Sequence, residues 1–211
     1  RANNPNHTGD EPYNYTMVSL SNSNSDGLVI LPVHREVKLP RKYREDYFVA
    51  GIQDHFKIEK IIIDSQDEGL IQTMKKQIAT PRRETKIAVY HSGDYFFRIT
   101  LKDKEYIKKE LLPDMSDAYC GLDMVVLNKL VINDVLRIND EDYDKYVSSS
   151  RSAGKCVESI QNETADIVFI MNPVKSEQIK SVATAGEKMP RRTLSVFPKP
   201  SVGVILNIKK D

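Results

Sequence analysis

The 211 residues contain no tryptophan and only two cysteines, Cys120 and Cys156. The two are far apart, and no Cys-x-x-Cys or Cys/His ligand spacing accompanies them. This excludes a disulfide framework or a zinc module and fits reduced thiols in a cytoplasmic protein. Long apolar runs are missing as well. The most apolar stretches, Ile61 to Ile63 and Val202 to Ile205, are far too short to span a bilayer, and no signal-peptide pattern opens the chain. Nor is one sign of charge in excess, with 31 Lys and Arg against 30 Asp and Glu. Such a balance leaves no net field to hold a polyanion, so DNA binding by this chain is not expected. Phosphate-loop, dinucleotide-binding and hydrolase-elbow patterns are all absent. His7, His55 and His91 stand isolated, and the acidic stretch from Asp140 to Asp144 lacks the Gly and the closing Glu of a calcium loop, so no metal site is predicted.

What is present is the composition of a globular protein, 40% hydrophobic and 29% charged, long enough for one large domain or two small ones with a buried core. Tyr13 to Leu20 and Leu28 to Leu31 read as strands around a Ser/Asn turn that ends at Asp26-Gly27. Apolar residues at Tyr43, Tyr47, Phe48, Ile52 and Phe56 predict a helix from about Pro40 to His55, followed by a strand to Ile63. Asp64 or Ser65 caps a helix that runs to Ile78. Thr85 to His91 and Tyr95 to Leu101 flank Ser92-Gly93-Asp94 as a hairpin. Asp117 to Leu130 has the period of a helix, Tyr143 to Ser148 that of a short strand, Ser152 to Ile160 a helix and Ala165 to Met171 a strand. A helix after Pro173 stops at Gly186, and Leu194 to Phe197 and Val202 to Ile208 close the chain as strands. The mixture predicts α+β with a mixed sheet, at least one antiparallel hairpin, and helices packed on it. A division into two α/β lobes, about 12–112 and 116–211, is compatible with it.

Two segments resemble a known family. Gly27-Leu28-Val29-Ile30-Leu31-Pro32-Val33-His34-Arg35 is similar to "GLxILPxHR", and Gly186-Glu187-Lys188-Met189-Pro190 through Phe197-Pro198-Lys199 to Gly203 is similar to "GExMPxKSTxFxPKxxxG", both of domain-of-unknown-function family 1015. The order of a strand at Ala165 to Ile170, a proline and an apolar helix also resembles that family. Arg192 stands where Lys is usual, Thr193 where Ser is, and Leu194 where Thr is. The cation and hydroxyl survive, whereas a nucleophilic Lys does not. The resemblance implies a front half with an Asp-Gly-His-His-Arg signature like ParB and sulfiredoxin-like domains. That signature is absent here, and the chain opens Arg1-Ala2-Asn3-Asn4-Pro5 without Met. The chain is therefore expected to be the C-terminal part of a larger bacterial or archaeal protein, without that ParB-like part.

The candidate sites follow from these motifs. His34 could act as acid, base or donor, and Arg35 could grip a carboxylate or phosphate with two parallel bonds. The competing reading is a His satisfied by backbone and an Arg with a structural role. Lys188, Arg191, Arg192 and Lys199 cluster around Thr193 and two prolines, an arrangement suited to phosphate, against which stands a solvated basic loop. Arg41-Lys42, Lys75-Lys76, Arg82-Arg83 and Lys108-Lys109 read as solubilising surface, and both cysteines as small core residues. The expected function is binding of a phosphorylated small molecule or nucleotide, within a larger cytoplasmic kinase or nucleotide hydrolase. The alternative is a non-enzymatic interaction or regulatory domain of a ParB-like protein. A third reading makes both motifs structural ties. Whether the chain is an enzyme stays open at this point.

Overall fold

The computed structural model describes residues 3–14, 18, 20, 22, 29–64, 69–79 and 84–199. The turn expected at Asp26-Gly27, the strand at Val202 to Ile208 and the Arg82-Arg83 pair lie outside them, as does half of the strand expected from Tyr13. Pro12–Asn14 forms a single 3₁₀ turn instead. Contacts divide the chain into residues 30–195, which hold the core, and a second unit of residues 1–29 and 196–211.

The elements are β1 (Val29–Leu31), β2 (His34–Val37), α1 (Glu45–Ile52), β3 (Phe56–Ile62), α2 (Leu70–Ile78), β4 (Lys86–Tyr90), β5 (Tyr95–Leu101), α3 (Asp117–Cys120), α4 (Asp123–Val126), α5 (Tyr143–Tyr146), β6 (Val147–Ser150), α6 (Ala153–Gln161), β7 (Ile167–Ile170), α7 (Ser176–Thr184) and β8 (Ser195–Phe197). Wider π-helical turns cover Ile107–Leu111 and continue α4 through Leu127–Asn133. The long helix expected at 117–130 is interrupted at Gly121-Leu122, where an extended Leu122 restarts it with Asp123 in its first turn. Tyr143 to Tyr146 is one helical turn rather than the start of a strand, and the strand itself is Val147–Ser150.

Six strands form one sheet in the order β3-β5-β4-β7-β2-β6, and β1 pairs with β8 in a two-stranded ribbon. All five pairings of the large sheet run antiparallel, a more uniform arrangement than the mixed sheet expected. The fold class is α+β, and the β4-β5 hairpin falls where the sequence put it. Central strands β4 and β7 are buried on both faces, which is why they read as unbroken apolar runs. Ile87, Val89, Ile167 and Phe169 pack on one side with Phe48, Ile52, Leu127 and Val131. Ala88, Tyr90, Val168 and Ile170 pack on the other with Met74, Ile78 and Cys156. Alternate residues of a strand point to opposite faces, so the sheet carries α1 and α4 on its first side and α2 and α6 on its second. Serine caps fit the helix starts: Ser116 Oγ accepts from Tyr119 N–H and Ser152 Oγ from Lys155 N–H.

The sequence placed His34-Arg35 at the end of a strand. They open a strand of their own, separated from β1 by Pro32-Val33 and paired on both edges, with Arg35 opposite Phe169 of β7 and Ser149 of β6.

Candidate functional site

His34 and Arg35 are both 1% exposed. Being adjacent in one strand, they face opposite sides of the sheet. His34 shares its side with Glu36, Cys156 and Lys75, while Arg35 shares the other with Val37. The two side chains therefore cannot close on one ligand from the same face. His34 Nδ1 accepts the Met171 backbone N–H at 3.1 Å. This fixes the neutral tautomer with its proton on Nε2. That Nε2 is buried without a partner among the described residues. Burial, with the nearby Lys75 and Arg35 cations, lowers the imidazole pKa to about 4, so the ring is a neutral donor at pH 7.

Arg35 directs Nε to the Tyr143 hydroxyl at 3.0 Å, one terminal nitrogen to the His34 carbonyl at 3.2 Å and the other to the Arg192 carbonyl at 2.9 Å. Tyr143 in turn donates to Asn128 Oδ1 at 3.0 Å. The two sequence motifs thus meet, but through a buried guanidinium that already serves protein acceptors.

The second motif is a strap laid over this side of the sheet. Gly186, at φ +76°, ends α7 in a conformation glycine adopts freely. The Glu187 carboxylate then accepts from the Ser116 N–H at 2.6 Å and from the Ser116 hydroxyl. Met189 packs against the core. Arg192 has φ +57° without being glycine, a conformation that costs roughly 1–2 kcal/mol. The Arg35 bond to its carbonyl and its own ion pair with Asp144 at 2.8 Å hold it there. The turn drives Thr193 inward, where it is 3% exposed and its hydroxyl has no partner among the described residues.

Thr193 lines a small cavity of about 20 Å³ with Val33, Asp123, Met171, Pro173 and Gln178, at the end of β7 and the start of α7. Such a volume admits one water-sized group. Asp123 Oδ1 accepts from the Thr85 hydroxyl at 2.8 Å. Burial raises its pKa to about 6 against the opposing Thr85 bond and the Lys175 and Lys104 charges. A carboxyl poised near neutrality and a hydroxyl without a partner among the described residues line the same small cavity, a combination functional sites share with strained ion pairs. Sequence reasoning passed over Asp123 because it sits inside an apolar helical pattern. The only local sign was the Gly121 break just before it.

Of the other residues singled out from sequence, Lys188 and Arg191 are exposed and have no ion-pair partner among the described residues. Lys199 is exposed and belongs to the unit of residues 1–29 and 196–211. Both cysteines are free and buried, and burial raises their thiol pKa values, strongly for Cys156, which leaves them poor nucleophiles. Among the described residues no helix is long and apolar enough to cross a membrane.

The sequence model of one protein family, described as "Protein of unknown function (DUF1015)", matches residues 1–125. No curated protein matches the chain. Among solved structures the chain is similar to a free serine kinase in complex with AMP, at 12% identity and a TM-score of 0.44, over 83% of this chain and 56% of that one. It is also similar to a conserved hypothetical protein from Pyrococcus furiosus, at 9% identity and a TM-score of 0.41, over 83% of this chain and 59% of that one. The chain spans less than two thirds of the length of either structure.

Proposed function

The chain belongs to domain-of-unknown-function family 1015, and from that starting point we propose that it binds a phosphorylated small molecule or nucleotide as part of a larger cytoplasmic kinase or nucleotide hydrolase. The observation that carries this reading is the inward-turned Thr193 hydroxyl, buried and without a partner among the described residues, in a strap that also presents Lys188 and Arg191, cations with no ion-pair partner among the described residues. A buried polar group without a partner costs about 1–3 kcal/mol, which an arriving acceptor would relieve. Lys188 and Arg191 supply charge-assisted donors for a phosphate. Arg35 enters this reading as the support of the strap rather than as a ligand contact. His34, the catalytic candidate read from the sequence, is buried and faces the opposite side of the sheet from the strap, so it takes no part in this site.

The test is thermal stability of the chain against ATP, ADP, CTP, serine, phosphoserine and inorganic phosphate. A ligand at 100 times its Kd adds about 2.7 kcal/mol to the folded state. A phosphorylated ligand should stabilise the wild-type chain, and Thr193→Val together with Arg191→Ala should reduce the effect. Equal stabilisation of the variant would refute the assignment to this strap. A second reading, that both motifs are structural ties, is favoured by the saturation of Arg35. It requires ligand-independent loss of stability on changing Arg35 and a response to phosphorylated compounds that Thr193→Val with Arg191→Ala leaves unchanged.

A further inference from the structure

A larger concavity lies elsewhere in the same unit. Between α1 and the segment Asp134–Arg137 is a groove of about 540 Å³, within the size range of small-molecule sites. Gly51 makes its floor a close approach: a Cβ there would fall 2.7 Å from Val135 Cγ1, so the helix seats directly on the opposite wall. Apolar surface comes from Phe48, Leu136 and the aromatic Tyr43 and Tyr47, of which Tyr47 is 66% exposed.

The charge of the groove is lopsided. Arg41, Lys42, Arg44 and Arg137 line it against the one carboxylate of Asp134. Arg137 is paired with Asp134 at 3.3 Å and Arg44 with Asp46 at 2.5 Å, which leaves Arg41 and Lys42 without an acidic partner among the described residues. Arg44 lies over the Tyr47 ring at 4.2 Å, so cation and aromatic surface are already stacked at the mouth. The Tyr43 hydroxyl is buried and has no hydrogen-bond partner among the described residues. Paired cations beside aromatic rings match a ligand with phosphate at one end and a flat ring at the other, since rings stack on tyrosine and arginine while phosphate takes the free charges. The sequence had assigned Arg41-Lys42 to a solubilising surface. An isolated solvated pair would not be expected to border an aromatic-walled concavity.

We propose that the groove between α1 and Asp134–Arg137 is a second binding site, for a nucleoside phosphate whose phosphates meet Arg41 and Lys42 and whose ring lies against the tyrosine wall. The site stands independently of the strap at Thr193. The test is calorimetric titration of the chain with ADP and, separately, with inorganic phosphate. ADP should bind more tightly than phosphate, and affinity should fall as salt rises. The double variant Arg41→Glu/Lys42→Glu should weaken ADP binding by at least about tenfold, the equivalent of about 1.4 kcal/mol, and Tyr47→Ala should weaken ADP but not phosphate. Both residues are exposed, so folding should be unaffected, which circular dichroism verifies. Thr193→Val should leave this binding intact. The proposal is overturned if ADP does not bind, if the double variant binds it as well as wild type, or if Thr193→Val alone removes it. Equal binding of ADP and phosphate, or an acidic peptide outcompeting ADP, would overturn the ligand class.

Discussion

Replacing Asp123 by Asn should make the protein more stable at neutral pH and leave it unchanged in acid. In the folded state the carboxyl pKa is raised from 3.8 to about 6 because the charge is buried. A carboxyl with a raised folded pKa helps the fold while protonated. That help is complete below pH 3.8 and is lost as pH rises through about 6. At 1.36 kcal/mol per unit, ionising this one group costs about 3 kcal/mol, fully developed by pH 7.5. Asn carries no charge and keeps the oxygen that accepts from Thr85, so the variant escapes the cost. In urea unfolding followed by tyrosine fluorescence, Asp123→Asn should exceed wild type by about 2–3 kcal/mol at pH 7.5. The gap should close to near zero at pH 4. Taking the difference at each pH cancels every other titrating group. A gap that does not vary with pH, or a variant less stable at pH 7.5, would refute the reasoning and imply that water or a cation reaches Asp123.

His34 acts with the opposite sense: its lowered folded pKa of about 4 means stability is intact above pH 6.5 and is lost as pH falls toward 4, by about 3 kcal/mol. His34→Gln should flatten that acid limb in the same unfolding series. Arg35→Met should cost at least about 2 kcal/mol, since it removes three charge-assisted bonds and strands the Arg192 carbonyl; proteolysis should then cut first near Arg191. Phe169→Ala, at the sheet centre against Phe48 with ring centroids 6.3 Å apart, should cost about 3–5 kcal/mol in the same assay. A loss under 1 kcal/mol would show that the face of β7 under α1 is not packed as described.

The parts of the fold legible in sequence were those whose signal is local. The hairpin around Ser92-Gly93-Asp94 announced itself by two alternating runs and a turn, and β7 by an apolar run too short for a helix. α6 and α7 carried their own starts at Ser152 and after Pro173. β2 was missed for the opposite reason. His-Arg-Glu-Val has the look of a surface segment, yet it is an interior strand paired on both edges, where Arg35 finds Tyr143 and Arg192, 108 and 157 residues away. The broken helix at 117–130 was missed because apolar period survives across the Gly121-Leu122 interruption, so the pattern alone shows one helix.

The site divides in the same way. The sequence by itself determined which residues were worth watching, because a His-Arg pair after a strand and a Lys/Arg/Thr cluster between prolines are chemistry visible in residue type. Only the tertiary structure decided what each one does. It turned His34 and Arg35 to opposite faces of a sheet, spent Arg35 on holding the strap, buried the Thr193 hydroxyl and brought Asp123 beside it. It also gathered Arg41 and Lys42 with Tyr47 and Leu136 around one groove. The physical reason is that burial and hydrogen-bond partnership belong to a residue's neighbours in space, and in this sheet those neighbours are distant in sequence.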